Sequence, residues 1–576
     1  MSWHRLVATL TVVAALLSPV MLIRTWLPVA DDLDVPHWDQ WEMVPLLEAS
    51  TTGTLSLVEL LRQDGETRPL VPRSVLLALA FATGWDTRAE VALNLVVGGA
   101  TLAGLIGLLW LTVRPTSPML VPPLALAASA ISFSLAAYEA WLWGWSLVTV
   151  TSAACAVFAA LMLGWRGRRA PAPALAALAA AVAAFSFTNG LLLLGLVPLA
   201  LLLDPRPYRA PAERRAPFVA GAITGLAAVV YFAGFAYPRA LSVSDTATHP
   251  AAALGFFLVY LGAPFGALST PVSAVAGACG LAVGSAGAMW LWRRRPARRA
   301  AIFPWLMLSV FAVLAAALAS VGRWRFGVDH ALTSRYQTFA ALFWMTVFVV
   351  AALAAREGAA GSPRRRILVG ATAGLLACFA AAGAIQTWLV AREPVRTRVE
   401  ALRRGRECVV FHAIAPAPCL ALIYPDPAVV RHRAAQLEAL GLGPFRARAR
   451  PPALDRLTVS GDPRPVGAIE SVSVGPALLV NPVSAAYHAR EVVISGRAID
   501  PATARPAREV IIVVDGRVAG RTQAGPDGFT FRFGTFRLGP GPHSIEGWAR
   551  LNDGGIARLA RGFTIVAPPA TASAGR

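Results

Sequence analysis

The sequence predicts an α-helical polytopic membrane domain followed by an extracytoplasmic all-β sandwich, and three observations lead there. Apolar runs of membrane-spanning length recur through the first two thirds of the chain. Arginines punctuate those runs in alternate connections. Beyond about residue 456 the apolar period switches to two, with Gly, Pro and Asp-Gly turns between strand-like segments.

Of the 576 residues, 56% are hydrophobic and only 15% charged, which excludes a water-soluble cytosolic enzyme. Apolar segments fall near 6–27, 89–113, 119–137, 145–164, 173–189, 190–203, 217–236, 270–292, 301–321, 336–355 and 367–390, giving eleven expected crossings. The net charge is +20 and the chain contains no lysine, so every basic side chain apart from histidine is arginine. Arg114, Arg166 to Arg169, Arg206 to Arg215, Arg293 to Arg299 and Arg364 to Arg366 lie in the even-to-odd connections. The positive-inside rule then places the amino terminus in the cytoplasm and the carboxyl terminus outside a bacterial inner membrane. The basic excess is topological and calls for no nucleic-acid partner. Residues 1–30 read as the first span, because the apolar run is long for a cleaved signal; cleavage would detach this helix from the site proposed below.

Cys155, Cys279 and Cys378 fall inside apolar spans, where a thiol behaves as a small hydrophobe. Cys408 and Cys419 lie beyond the last span, in an expected oxidising compartment, and are candidates for a disulfide. No ionisable group lies near the middle of any span, which disfavours an ion-coupled transporter. No nucleotide-binding loop appears.

The first loop, 28–88, is heavily loaded. It carries Asp31, Asp32, Asp34, His37, Asp39 and Glu42 within a dozen residues, with Trp38 and Trp41 one helical turn apart. Further on come Asp64, Glu66, Arg68 and Arg73. The pattern predicts helices lying in the membrane surface. Other connections on the same expected side add Tyr138-Glu139, Arg323 to His330 and Ser334-Arg335-Tyr336. Arginines there break the positive-inside pattern, and a lipid phosphate is a natural partner for a bidentate guanidinium.

These features together resemble the GT-C membrane glycosyltransferases, which take a sugar from a polyprenyl-phosphate donor. The resemblance covers residues 1–390 and rests on the acidic pair at the exit of the first helix, the long first loop, the arginines and the β-rich tail. In that family an acidic residue of the first outer loop is the catalytic base; by position Asp32, or its neighbour Asp31, matches it. Asp34 and Asp39 leave that choice open, and no motif identifies the sugar.

Glycosyl transfer needs a base for the acceptor hydroxyl and stabilisation of the departing phosphate. Asp34, Asp39, Glu42 and Glu66 are expected to orient the acceptor or a divalent metal such as magnesium, manganese or calcium. Arg68, Arg73, Arg323 and Arg335 are expected to hold the donor phosphate, and Trp38, Trp41, His330 and Tyr336 to contact sugar. The competing structural readings are an interfacial tryptophan belt, which also takes in Trp141, Trp143 and Trp145, and charges that simply pair with one another.

The expected domains are 1–391 in the membrane, 392–455 a mixed linker subdomain, 456–566 a sandwich resembling immunoglobulin or carbohydrate-binding domains, and 567–576 a disordered tail. The leading functional expectation is an inverting glycosyltransferase acting on a cell-envelope glycan or glycolipid. Its rivals are a non-enzymatic lipid-glycan translocase or assembly scaffold and an oligosaccharide ligase. The clean apolar spans offer a translocase little polar path, and a ligase has less need of the acidic first loop.

Overall fold

The computed structural model describes residues 3–165, 171–208, 211–237, 243–265, 269–358, 363–410, 412, 415, 417–446, 465–480, 487–534, 538, 541–553 and 555–567. The chain divides into two units. The first comprises Met1–Ala30, Leu55–Leu79 and Arg88–Arg396; the second comprises Asp31–Thr54, Ala80–Thr87 and Thr397–Arg576.

The first unit is helical. Among the described residues, eight helices are long and apolar enough to cross a membrane: His4–Ala30, Thr87–Thr112, Pro118–Leu142, Gly144–Trp165, Glu213–Phe232, Thr270–Arg294, Pro296–Phe326 and Ser334–Gly358. They coincide with eight of the eleven expected segments. The segments at 173–189 and 190–203 form the shorter helices Ala172–Ala184 and Leu191–Leu203, of 13 residues each. At 1.5 Å per residue each reaches about 20 Å, short of a hydrocarbon core of about 30 Å. The segment 367–390 lies in the helix Pro363–Val410, where most side chains are outside the described residues.

Several polar groups inside this bundle are tied to backbone. The Asn94 amide donates to the carbonyls of Ala140 at 3.1 Å and Trp143 at 2.9 Å. Ser129 donates to the Ala15 carbonyl at 2.8 Å, pinning the first helix to Val121–Ser132. Small residues set the closest approach: at Gly262 and Gly277 the helices Pro250–Gly262 and Thr270–Arg294 pack backbone to backbone, leaving no room for a Cβ. Trp141, Trp143 and Trp145 are buried, and Trp141 stacks on Phe133 at 5.1 Å. An interfacial belt is therefore not what these three form; their indoles are packing elements.

The second unit has a helical part and a β part. The turn Trp38–Met43 and the helix Val44–Thr51 bury Trp41, Val44 and Leu47, and this helix packs against Pro427–Leu440. Asp31–Thr54 was expected within the membrane domain, but its apolar face is spent on the residues after Thr397. Cys408 and Cys419 are joined as a disulfide, with Cα atoms 6.0 Å apart.

Among the described residues, nine strands follow. They are β1 (Gly467–Val480), β2 (Tyr487–Asp500), β3 (Arg505–Pro506), β4 (Glu509–Val514), β5 (Arg517–Thr522), β6 (Phe529–Gly534), β7 (Gly541–Arg550), β8 (Ile556–Arg558) and β9 (Phe563–Ala567). One antiparallel sheet has the order β1-β2-β3 with β6 also on β2; the other has β5-β4-β7-β8 with β9 also on β7. Alternate residues of both sheets, including Ile469, Val492 and Ile494 from one and Val510, Ile512 and Ile545 from the other, share a single apolar cluster. The hairpin β4-β5 turns at Asp515-Gly516, both with positive φ, as the Asp-Gly dipeptide favours. The linker stretch 447–464 and the tail 568–576 lie outside the described residues.

Candidate functional site

The first unit gathers charges from stretches far apart in the chain: 64–73, Glu139 and 323–335. The loop at 64–68 is a tight turn in which Asp64 and Thr67 exchange backbone hydrogen bonds at 2.8 Å. That turn presents Glu66, whose carbonyl accepts from Thr188 Oγ1 at 2.9 Å and from Tyr231 Oη at 3.1 Å. The Glu66 carboxylate pairs with the Arg323 guanidinium across 257 residues of sequence. Arg68, 9% exposed, donates to the Ala233 carbonyl at 2.8 Å and lies over the Phe235 ring. Arg73 is spent on its own neighbourhood: it donates to the Leu60 and Arg62 carbonyls and lies 3.6 Å from Asp64.

The second half of this cluster comes from the turns on either side of residue 330. Glu139 Oε2 accepts from Ser334 Oγ at 2.7 Å and from the Arg335 backbone N–H at 3.2 Å. The Glu139 N–H in turn donates to Ser334 Oγ at 3.2 Å. Tyr336 stacks on Tyr260 with ring centroids 4.9 Å apart and lies within electrostatic reach of Arg323, Arg335, Glu66 and Glu139. Burial lowers the His330 pKa, and the positive charges of Arg335 and Arg323 add to that, against the opposing pull of Glu139. The imidazole is thus biased towards its neutral form, able to give or take a hydrogen bond.

The carboxylates nearest the first helix behave differently. Asp34 is 2% exposed and pairs with Arg446, with Arg406 at 3.7 Å. Glu42 receives a bidentate pair from Arg433 at 2.7 and 2.9 Å, plus Tyr424 Oη at 3.1 Å. His37 is buried, and burial followed by the charge of Arg398 holds its pKa well below the usual imidazole value. Trp41 is wholly enclosed and offers no ring face to a sugar, whereas Trp38 is 44% exposed. Asp39 is half-buried beside this network. Asp32 is half-buried too, and among the described residues it makes no hydrogen bond or ion pair. The Asp31 side chain lies outside the described residues.

The expected residues therefore fall into two groups. Glu66, Arg68, Arg323, His330, Arg335 and Tyr336 come together in the first unit, while Asp32, Asp34, Asp39 and Glu42 belong to the second. Glu139, named in the sequence on the same expected side but given no role there, is a further member of the first group; a carboxylate ending an apolar run beside three tryptophans is its signal. Among the described residues, no group of three His, Cys, Asp or Glu side chains is placed to hold a metal ion. Asp34 and Glu42 already have guanidinium partners in place of a cation.

Compared with known proteins, the chain matches no family model and no curated sequence.

Proposed function

We propose that this protein is an inverting GT-C-type glycosyltransferase of the bacterial cytoplasmic membrane. It transfers a sugar from a polyprenyl-phosphate donor to a cell-envelope glycan or glycolipid on the extracytoplasmic side. In this reading the amino terminus lies inside and the immunoglobulin-like or carbohydrate-binding-like β domain outside. The supporting observation is the convergence of Arg323, Arg335 and Arg68 with Glu66, Glu139, His330 and Tyr336 from distant parts of an apolar helical bundle. Guanidinium groups beside a membrane are suited to a lipid phosphate, and the bilayer delivers the prenyl tail to the same surface. Asp32 is the proposed base: a carboxylate with no hydrogen bond or ion pair among the described residues is available to accept a proton from an acceptor hydroxyl.

A second reading, an oligosaccharide ligase, gains from one observation. Asp34 and Glu42 are engaged by arginines, and a ligase needs the acidic loop less.

The test measures transfer from a short-chain prenyl-phosphate sugar by the reconstituted protein. Arg323→Gln is expected to lower turnover about 10²–10³-fold, and Asp32→Asn to abolish it at unchanged protein level. Full activity in Asp31→Asn, Asp32→Asn and the double variant removes the base assignment. In a deletion strain, loss of one sugar supports transfer, whereas accumulation of intact lipid-linked chains supports the ligase.

A further inference from the structure

A second concentration of guanidinium groups lies at the far end of the helix that carries Arg323. The helices Thr270–Arg294 and Arg299–Arg323 are joined through the turn Pro296–Arg298. Arg299 opens a 25-residue helix that Arg323 closes. The two ends are about 36 Å apart at 1.5 Å per residue. Across a hydrocarbon core of about 30 Å, such a helix holds its two ends at headgroup depth in opposite leaflets. The connection carries Arg293, Arg294, Arg295, Arg298 and Arg299, and among the described residues Glu357 is the one carboxylate paired with any of them. Arg298 Nε donates to Glu357 Oε1 at 2.7 Å, and Arg295 donates to the Glu357 carbonyl at 2.7 Å. Those two arginines fix the turn on the end of the helix Gln337–Gly358.

The other three are not spent in this way. Arg299 Nε donates to the Trp292 carbonyl at 2.8 Å and its guanidinium lies over the Trp292 ring at 5.6 Å, an arrangement that fixes the plane of the fork. Arg293 and Arg294 are exposed and have no partner among the described residues. One helical turn back from Arg293 stands Met289, 51% exposed, and the exposed face continues through Val283, Val275 and Val272. Trp292 and Phe303, both half-buried, face each other from the two helices with centroids 6.4 Å apart. Unpaired cations therefore stand directly above an apolar helix face. A free anion or a nucleic acid would use the cations and have nothing to set against that face, whereas an amphiphile with an anionic head and a hydrocarbon tail matches both.

We propose that Arg293, Arg294 and Arg299 hold the phosphodiester of an anionic phospholipid, with an acyl chain lying along Met289 and the valines below it. The proposal is independent of the glycosyltransferase reading and concerns the opposite end of the helical unit from the charged cluster. A zwitterionic lipid presents the same phosphodiester with a quaternary ammonium beside it, which the surrounding arginines repel, so the surface selects for net negative charge.

The test uses the full-length protein in phosphatidylcholine vesicles doped with phosphatidylglycerol that bears a photoreactive headgroup, with adducts mapped by peptide mass spectrometry. Labelling of the 289–303 segment should exceed that by an equally photoreactive phosphatidylcholine at least about tenfold, and it should fall as salt is raised, because exposed charges are screened. Arg293→Gln/Arg294→Gln should lower this labelling about 25-fold. Both side chains are exposed and unpartnered among the described residues, so the unfolding temperature should be unchanged. Arg323→Gln, at the other end of the helix, should leave labelling of this segment as in wild type. Equal labelling by the two lipids, labelling indifferent to salt, or undiminished labelling in the double variant overturns the proposal. Inorganic phosphate competing as well as unlabelled phosphatidylglycerol would also overturn it, since the site would then recognise a free anion and not a lipid.

Discussion

At the scale of single residues, environment separates carboxylates that look alike in sequence. Asp32 and Asp34 are two positions apart, yet Asp34 is enclosed between Arg446 and Arg406 whereas Asp32 has no such partner among the described residues. Removing one member of a buried pair strands the other charge, so Asp34→Ala is expected to cost about 3–5 kcal/mol. Asp32→Asn should stay within about 0.5 kcal/mol of wild type. Thermal unfolding of the two purified variants checks both, and equal destabilisation would contradict the division of roles. His37 supplies a pH dependence. Its folded-state pKa is lowered by burial and by Arg398, so the folded state favours the neutral ring. That contribution to stability is fully present above the unfolded value of about 6.5 and is lost as the pH falls through the lowered one. The unfolding temperature should therefore drop more steeply below pH 6.5 in wild type than in His37→Asn, and parallel curves would show that His37 does not contribute.

At the scale of elements, short segments are held by cross-links instead of large cores. The disulfide Cys408–Cys419 closes a loop of sequence separation 11 in the helical part of the second unit. Loop-closure entropy for a ring of that size gives roughly 3 kcal/mol. Replacing both cysteines by serine should lower stability by about that amount, read from denaturant midpoints with and without reductant. An unchanged midpoint would mean that the ion pairs at Glu42 and Asp34 suffice. The apolar segments 173–189 and 190–203 show what hydropathy leaves out. Composition marks them as spans, but their helices break at Phe185 and Asp204 after 13 residues each. The intervening turn at Thr188–Gly190 is used, through Thr188 Oγ1, to hold the Glu66 loop. A run of apolar residues reports the solvent, while helix length is set by where the backbone must turn to meet its neighbours.

At the scale of the whole molecule, the arginine pattern makes a claim about sidedness. If positive-inside holds, a cysteine at Thr52 in the first loop should react with a membrane-impermeant maleimide on intact cells. One at Arg294 should react only after permeabilisation, in a background with Cys155, Cys279 and Cys378 replaced by serine. Reversed labelling would turn the proposed site towards the cytoplasm, where the proposed extracytoplasmic acceptor is absent.

Much of the molecule was legible in the order of its residues. Among the described residues, eight membrane-length helices fall where the apolar runs do, and β2, β4, β6, β7 and β9 overlap the segments whose apolar period is two. These features are local, since period and composition are set by the solvent each face meets. The strands β1, β5 and β8 lacked that signal: β1 contains Gly467 and Pro476, β5 contains Gly520, and β8 is three residues long. They form because neighbouring strands supply hydrogen-bond partners. The composition of the candidate cluster could not be read in the same way. Glu66 meets Arg323, Glu139 meets Ser334 and Glu42 meets Arg433 across 257, 195 and 391 residues of chain. Sequence alone therefore determined which stretches are apolar, where the strands of apolar period two lie and which charged residues were available for chemistry. Only the tertiary structure decided which of those charges neutralise one another and which remain available, because long-range pairing follows from how helices pack and not from spacing along the chain.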